Sequence, residues 1–201
     1  MSKTSLQAAM ADFKRTVTNY NNEAEALSKS PAYTEQGKAE RLGELAATYK
    51  GNFTAISSKL HIEFSAALEA AKKDRGTRIQ SRIKDGNYQI GLQNAVEAIK
   101  NGVTMSKSDI KAIAQSFEGD PLAASLLRAA LAESGKHELC DLIPEDKGAA
   151  AMNALEGISE KLRTMARNAE SGIAINNYSL AAVDVYSKNL DNYFNEDFEL
   201  I

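Results

Sequence analysis

Apolar residues recur at gaps of three or four positions along the stretch from Gly37 to Lys84. This spacing is that of one face of an α-helix, and no proline interrupts it. The apolar residues of this face are Leu42, Leu45, Tyr49, Phe53, Ile56, Leu60, Phe64 and Leu68. The pattern predicts one long helix that begins near Thr34 and extends to about Lys84.

Three glycines lie in the interior of this predicted helix, beyond Gly37 in its first turn. Gly43 and Gly51 each weaken a helix by about 1 kcal/mol relative to alanine, so they are candidate positions for the close approach of another backbone. Gly76 leaves open whether the helix is continuous to its end.

A second pattern, with gaps that alternate between four and three residues, runs through the first 27 residues. It is the a/d spacing of a heptad seam and predicts a helix that ends before Pro31. The helix fits either an antiparallel hairpin with the long helix or a coiled coil between copies of the chain. The residues of this candidate self-association seam are Leu6, Met10, Phe13, Val17, Tyr20 and Leu27.

The middle of the chain carries clear helix-boundary signals. A shorter helix is predicted over Tyr88–Lys100. Ser106 followed by Asp109 indicates a capping box, and Asp120-Pro121 indicates an N-cap followed by proline at the first helical position. These signals predict a compact helical section.

Near-heptad spacing returns from Met152 to Ala169 and again from Leu180 to Phe194, with Gly172 between the two runs. The predicted fold class is therefore all-α: an extended helical hairpin or bundle with one long helix and a small globular helical middle section. We predict three segments, which are an N-terminal helical hairpin over 1–103, a compact helical section over 104–144, and a C-terminal hairpin over 145–201.

Composition supports this class and narrows the environment. The chain has 32 alanines, three prolines and no tryptophan, with 25% charged residues and a net charge of −3. That charge gives no global attraction to nucleic acid or acidic lipid. The single cysteine, Cys140, fits a reducing compartment, and neither a secretory leader nor a membrane-spanning run is evident. We expect a soluble cytoplasmic protein that has no membrane contact.

Two charged stretches are candidate partner-binding sites. The basic cluster, between Lys72 and Lys84, has six basic residues and one acid; it fits a solvated helix face, a protein contact or a phosphate contact. Its basic residues are Lys72, Lys73, Arg75, Arg78, Arg82 and Lys84. The acidic tail, from Glu196 to Ile201, follows a stretch that is also acidic and fits either a docking peptide or a segment that covers the bundle. Its residues are Glu196, Asp197, Phe198, Glu199, Leu200 and Ile201.

Motifs for catalysis are incomplete. The stretch from His137 to Asp141 has the spacing of a zinc-protease helix but carries aspartate where the second histidine belongs. Cys140 fits a buried structural thiol better than a nucleophile, and His61 lacks the cysteine half of a zinc deaminase motif. The sequence also lacks the glycine-rich loops that bind phosphates. We therefore expect no enzyme activity, no metal and no cofactor.

The pattern as a whole favours a structural protein that binds copies of itself and protein partners, with homo-oligomers expected. In composition and layout, the chain resembles the small helical assembly or accessory proteins of bacterial viruses, which implies an assembly role with the two charged stretches as contact surfaces. One alternative is a helical inhibitor or adaptor that blocks one target protein. Another is a nucleic-acid binder that uses the basic cluster.

Overall fold

The structure is a computed structural model that describes residues 2–101, 105–144, 146–173 and 175–201. Its helices are α1 (Lys3–Lys29), α2 (Glu35–Lys84), α3 (Gly86–Lys100), α4 (Lys107–Ser116), α5 (Pro121–Glu133), α6 (Lys147–Glu170) and α7 (Asn177–Asp191). A 3-10 helix spans His137–Leu142. The all-α prediction is confirmed, and no strand occurs in the described ranges.

The long helix predicted from the apolar spacing is present as α2, which has 50 residues and continues through Gly76. Only part of its predicted apolar face is fully buried: Phe53, Leu60 and Phe64 are 4% exposed or less. Small residues, Ala67 and Ala71, complete the buried face toward its C-terminal part. Alanine there allows close packing without large side chains.

Two local boundary predictions hold in detail. Ser106 and Asp109 form a reciprocal capping box at the start of α4. Asp120 caps α5 through bonds from the Leu122 and Ala123 amides, with Pro121 at the first helical position. Both signals are local, and local hydrogen bonds suffice to set such helix starts.

The chain divides into two compact units. The first contains residues Met1–Ala70, Ala154–Glu199 and Ile201, and the second contains residues Ala71–Asn153 and Leu200. These units cut across the three segments predicted from the sequence, and residues 103, 104 and 145 at the predicted borders lie outside the described residues. That three-segment division stays a prediction.

In the first unit, α1 lies antiparallel to α2. The Ser5 hydroxyl donates to Glu63 at 2.9 Å, while the Tyr49 hydroxyl donates to Glu23 at 2.6 Å. The rings of Tyr20 and Phe53 meet edge to face at 5.5 Å. This is the hairpin alternative predicted for the heptad seam.

On another side, α1 lies antiparallel to α7. Lys14 donates to Asp184 at 2.6 Å, and Asn21 donates to the Ile175 carbonyl at 2.5 Å. Nearer the other end of α7, Gln7 donates to the Ser187 carbonyl at 3.2 Å. The first helix is thus covered by α2 on one side and by α7 on another.

The second unit has its own apolar core beneath α3, α4, α5 and the 3-10 helix. The core residues share near-complete burial and are Leu92, Ile99, Ile110, Ala114, Ala123, Leu127, Ala130, Leu131, Leu139 and Ile143. Cys140 packs against this core, and its thiol lies 3.7 Å from the Arg128 carbonyl. These contacts fit the structural thiol predicted from the sequence.

Gly43 and Gly51 do not mark close approaches of another backbone, because a Cβ added at either position meets nothing within 4 Å. We therefore expect Gly43→Ala and Gly51→Ala each to raise the free energy of unfolding by about 1 kcal/mol, since alanine restricts the unfolded chain and favours helix. Urea unfolding followed by far-UV circular dichroism measures this. A lower stability in either variant would show that the space is not open.

Candidate functional site

The three arginines of the basic cluster are engaged within the second unit. Arg75 forms a bidentate pair with Asp146, with nitrogen–oxygen distances of 2.6 and 2.5 Å. The same carboxylate accepts a bond from the Ala149 amide at 3.0 Å at the start of α6. Burial raises the pKa of Asp146, but the bonds from Arg75 and the Ala149 amide outweigh it, so the pKa lies below its ordinary value. This pair fixes the beginning of α6 on α2.

A pH dependence follows from the Asp146 pKa. Because the folded pKa is lowered, the pair's contribution to stability is present above the ordinary value of 3.8 and is lost as the pH falls through the folded pKa. We expect Arg75→Gln to lower the free energy of unfolding by about 1–2 kcal/mol at pH 7 and to flatten the fall in stability as the pH drops below about 4. Urea unfolding across that range measures the slope. The same slope in both proteins would contradict the assignment.

Arg78 and Asp74 hold the backbone of Leu200. Arg78 donates to the Leu200 carbonyl at 2.6 Å, and Asp74 accepts from the Leu200 amide at 3.2 Å. Arg78 and Asp74 also pair with each other at 3.1 Å. The basic cluster thus contacts the acidic tail of the same chain at Leu200, where it binds main-chain atoms.

Gly148 lies directly against the side chains of Arg75 and Leu200. A Cβ at Gly148 would lie 2.8 Å from both the Arg75 Nη1 and the Leu200 Cδ1. Such distances require the neighbouring side chains to move, and Arg75 is held by its two bonds to Asp146. The absence of a side chain at this position is what lets both groups pack there.

We expect Gly148→Ala to lower the free energy of unfolding by about 1–2 kcal/mol, because overpacking outweighs the gain in helix propensity. Gly157→Ala is the matched control in the same helix, since a Cβ there meets nothing within 4 Å. It should raise stability by up to about 1 kcal/mol. Thermal or urea unfolding of both variants distinguishes them, and a stabilised Gly148→Ala would refute the close approach.

Arg82 belongs to a third contact, around a buried carboxylate. Asp120 is 6% exposed and accepts the hydroxyl hydrogen bond of Tyr88. The Arg82 Nε lies 3.9 Å from Asp120, and its guanidinium sits 5.2 Å from the centre of the Tyr88 ring. Burial and the bond to Asp120 raise the pKa of Tyr88 well above its ordinary value. The contacts among Arg82, Tyr88 and Asp120 join α2, α3 and the start of α5.

The three lysines are the cations of the basic cluster that do not take part in these internal contacts. Lys72, Lys73 and Lys84 are exposed and form no ion pair with the residues that the structure describes. Three lysines give a smaller phosphate-binding surface than the six cations predicted from sequence, because each neutralised phosphate contributes separately to affinity.

The acidic tail is mostly tied to the first unit. Glu196 accepts bonds from the amide and hydroxyl of Thr4 at 3.2 and 3.0 Å, which hold the pKa of its carboxyl below the ordinary value. Glu199 accepts from the Asn195 side chain at 2.7 Å. Phe198 is fully buried, while Asp197 and Ile201 are exposed. Of the two predictions for this segment, covering of the bundle describes these contacts, and a freely reaching docking peptide does not.

The candidate self-association seam is covered within the first unit. Five of its six residues are 4% exposed or less, and Leu27 is half-buried. The five buried side chains are Leu6, Met10, Phe13, Val17 and Tyr20. A second copy cannot reach them in this fold, so the heptad spacing is accounted for by packing inside the chain.

Sequence reasoning missed the outer face of α7. Its inward side, Leu180, Val183 and Leu190, is buried, as the spacing predicted. On the opposite side, Tyr178 is 87% exposed and Val185 is 54% exposed. The interval of seven residues between them was the available signal, since it places both on one helix face. We call the exposed row Tyr178, Ala181, Val185 and Lys188 the outer stripe of α7.

The described part of the chain contains no group of three or more His, Cys, Asp or Glu side chains that could hold a metal ion. His61 lies on a surface depression together with Ser159 and Arg163, and no carboxylate or thiol lines that depression. None of the described helices is long and apolar enough to cross a lipid bilayer.

No family model, curated protein or solved structure matches this chain.

Proposed function

We propose that this chain is a non-enzymatic helical protein that acts through protein–protein contacts, with the outer stripe of α7 as its contact surface. The carrying observation is the exposure of Tyr178 and Val185 on one face of one helix. Large apolar and aromatic side chains grouped on a surface are typical of protein interaction sites, and tyrosine is enriched among the residues that dominate binding.

The helix that carries this stripe is held firmly from its other side. Leu180, Val183 and Leu190 are buried beneath it, and Lys14 pairs with Asp184 along its edge. A surface that is already ordered loses little conformational entropy on binding. This rigidity supports a binding role for the stripe.

The proposal includes self-association and an assembly role of the kind that the layout of the sequence resembles. The inhibitor or adaptor alternative uses the same stripe with a different partner. Nucleic-acid binding has less support, because Arg75, Arg78 and Arg82 are engaged in internal contacts.

Site-specific photo-crosslinking tests the proposal. A benzophenone amino acid is placed at Tyr178 in cells that make the protein, and the matched control carries it at Ile62, which is also exposed but lies on α2. We expect protein adducts from position 178 in clear excess over position 62. Equal labelling at both positions would overturn the contact surface.

A further inference from the structure

The outer stripe of α7 is complementary to itself. We propose that two copies of this chain form a symmetric dimer in which α7 of one copy packs antiparallel against α7 of the other. This inference rests on the proposed function and names the partner as a second copy.

The order of side chains along the stripe carries the argument. Its members, Tyr178, Ala181, Val185 and Lys188, are separated by three, four and three residues, so they lie in one row along the helix. A large aromatic ring stands at one end and a cation at the other, with a small and a medium apolar side chain between them. The row can therefore meet a reversed copy of itself.

In the antiparallel alignment, Ala181 of each copy faces Val185 of the other. A small side chain opposite a larger one is the arrangement that lets two helices pack closely. The same alignment sets Tyr178 of each copy opposite Lys188 of the other, which gives two cation–π contacts related by the two-fold axis. Every contact occurs twice, as an isologous interface requires.

A parallel alignment lacks these features. It would set Lys188 against Lys188 of the second copy, and like charges opposed in this way repel. The charges beside the stripe do not disfavour the antiparallel dimer. On one edge, Asp184 pairs with Lys14 of its own chain at 2.6 Å. On the other edge, Ala182 and Asn189 carry no charge.

The size of the stripe sets the expected strength. One helix face buries less than the roughly 800 Å² per partner that stable interfaces use. The dimer should therefore form in a concentration-dependent manner and dissociate on dilution.

Variants that exchange the aromatic ring and the cation, measured by light scattering over a range of concentrations, test the pairing. Tyr178→Lys should raise the dimer dissociation constant about five- to thirtyfold, since it removes both cation–π contacts and opposes two lysines. The double variant Tyr178→Lys with Lys188→Tyr restores a ring opposite a cation, so we expect it to recover dimerisation. Failure of the double variant to recover, or a wild-type mass of one chain at every concentration, overturns the proposal.

Disulfide trapping tests the orientation in full-length protein that carries Cys140→Ser. A mixture of the Ala181→Cys and Val185→Cys variants should form mixed disulfides in excess of either like pair, because the facing positions lie within disulfide reach. Predominance of like pairs, or no more crosslinking than Ile62→Cys gives, overturns the antiparallel dimer. If position 178 still crosslinks to a different protein, the proposed function stands while this inference fails.

Discussion

Phe198→Ala is expected to lower the free energy of unfolding by about 3–5 kcal/mol, the cost of removing a buried aromatic ring. Phe198 is fully buried, and its ring centre lies 5.6 Å from that of Phe194. Its φ of 62° is in the left-handed region, and alanine keeps that conformational cost while losing the burial. Urea or thermal unfolding measures the loss.

The control is Ile201→Ala in the same tail. Ile201 is 67% exposed, so its truncation should change stability by less than about 0.5 kcal/mol. If the tail were a free docking peptide, both substitutions would leave stability unchanged. Equal and small effects of the two substitutions would therefore support a docking-peptide role for the tail.

Asp120→Ala is expected to lower the free energy of unfolding by about 3 kcal/mol. The substitution removes the cap of α5, where Asp120 accepts from the Leu122 amide at 2.8 Å and from the Ala123 amide at 3.1 Å. It also leaves the partly buried hydroxyl of Tyr88 without its acceptor, which adds a desolvation cost. Unfolding in urea gives the sum of the two effects.

Ser106→Ala isolates the capping contribution, because Ser106 caps α4 at an exposed position and its side chain bonds to the exposed residues Asp109 and Ser108. It should cost about 1 kcal/mol. A double-mutant cycle between Tyr88→Phe and Asp120→Asn then measures the coupling of hydroxyl and carboxylate. Equal losses from Asp120→Ala and Ser106→Ala, with no coupling, would show that the buried bond contributes nothing.

Local patterns in the sequence were sufficient to predict the helices. The spacing along α2, the capping box at Ser106 and the Asp120-Pro121 start depend on residues within a few positions of one another. Continuity through Gly76 could not be decided from the sequence, because the cost of one glycine is comparable to the packing that offsets it. The structure settles it in favour of one helix.

Long-range pairing could not be read from the sequence. Arg75 finds Asp146 at a separation of 71 residues, and Arg78 finds Leu200 at a separation of 122. A charge count reported a cluster of +5 but held no information on which cations have internal partners. The outer stripe of α7 was not predicted for a different reason: the inward spacing of Leu180 and Val183 is sufficient to predict the helix and carries no information on what the opposite face contacts.

The first unit is made of two stretches of chain, with residues 71–153 of the second unit between them. The Lys3 amide donates to the Glu196 carbonyl at 2.8 Å, so this bond joins two residues that are synthesised 193 positions apart. At 5–20 residues per second, that delay on the ribosome is about 10–40 s. The second unit is almost wholly continuous in sequence, so all of it except Leu200 is synthesised during this interval. The nascent α1 meanwhile presents an incompletely covered apolar face, which makes it the segment that chaperones would be expected to bind first.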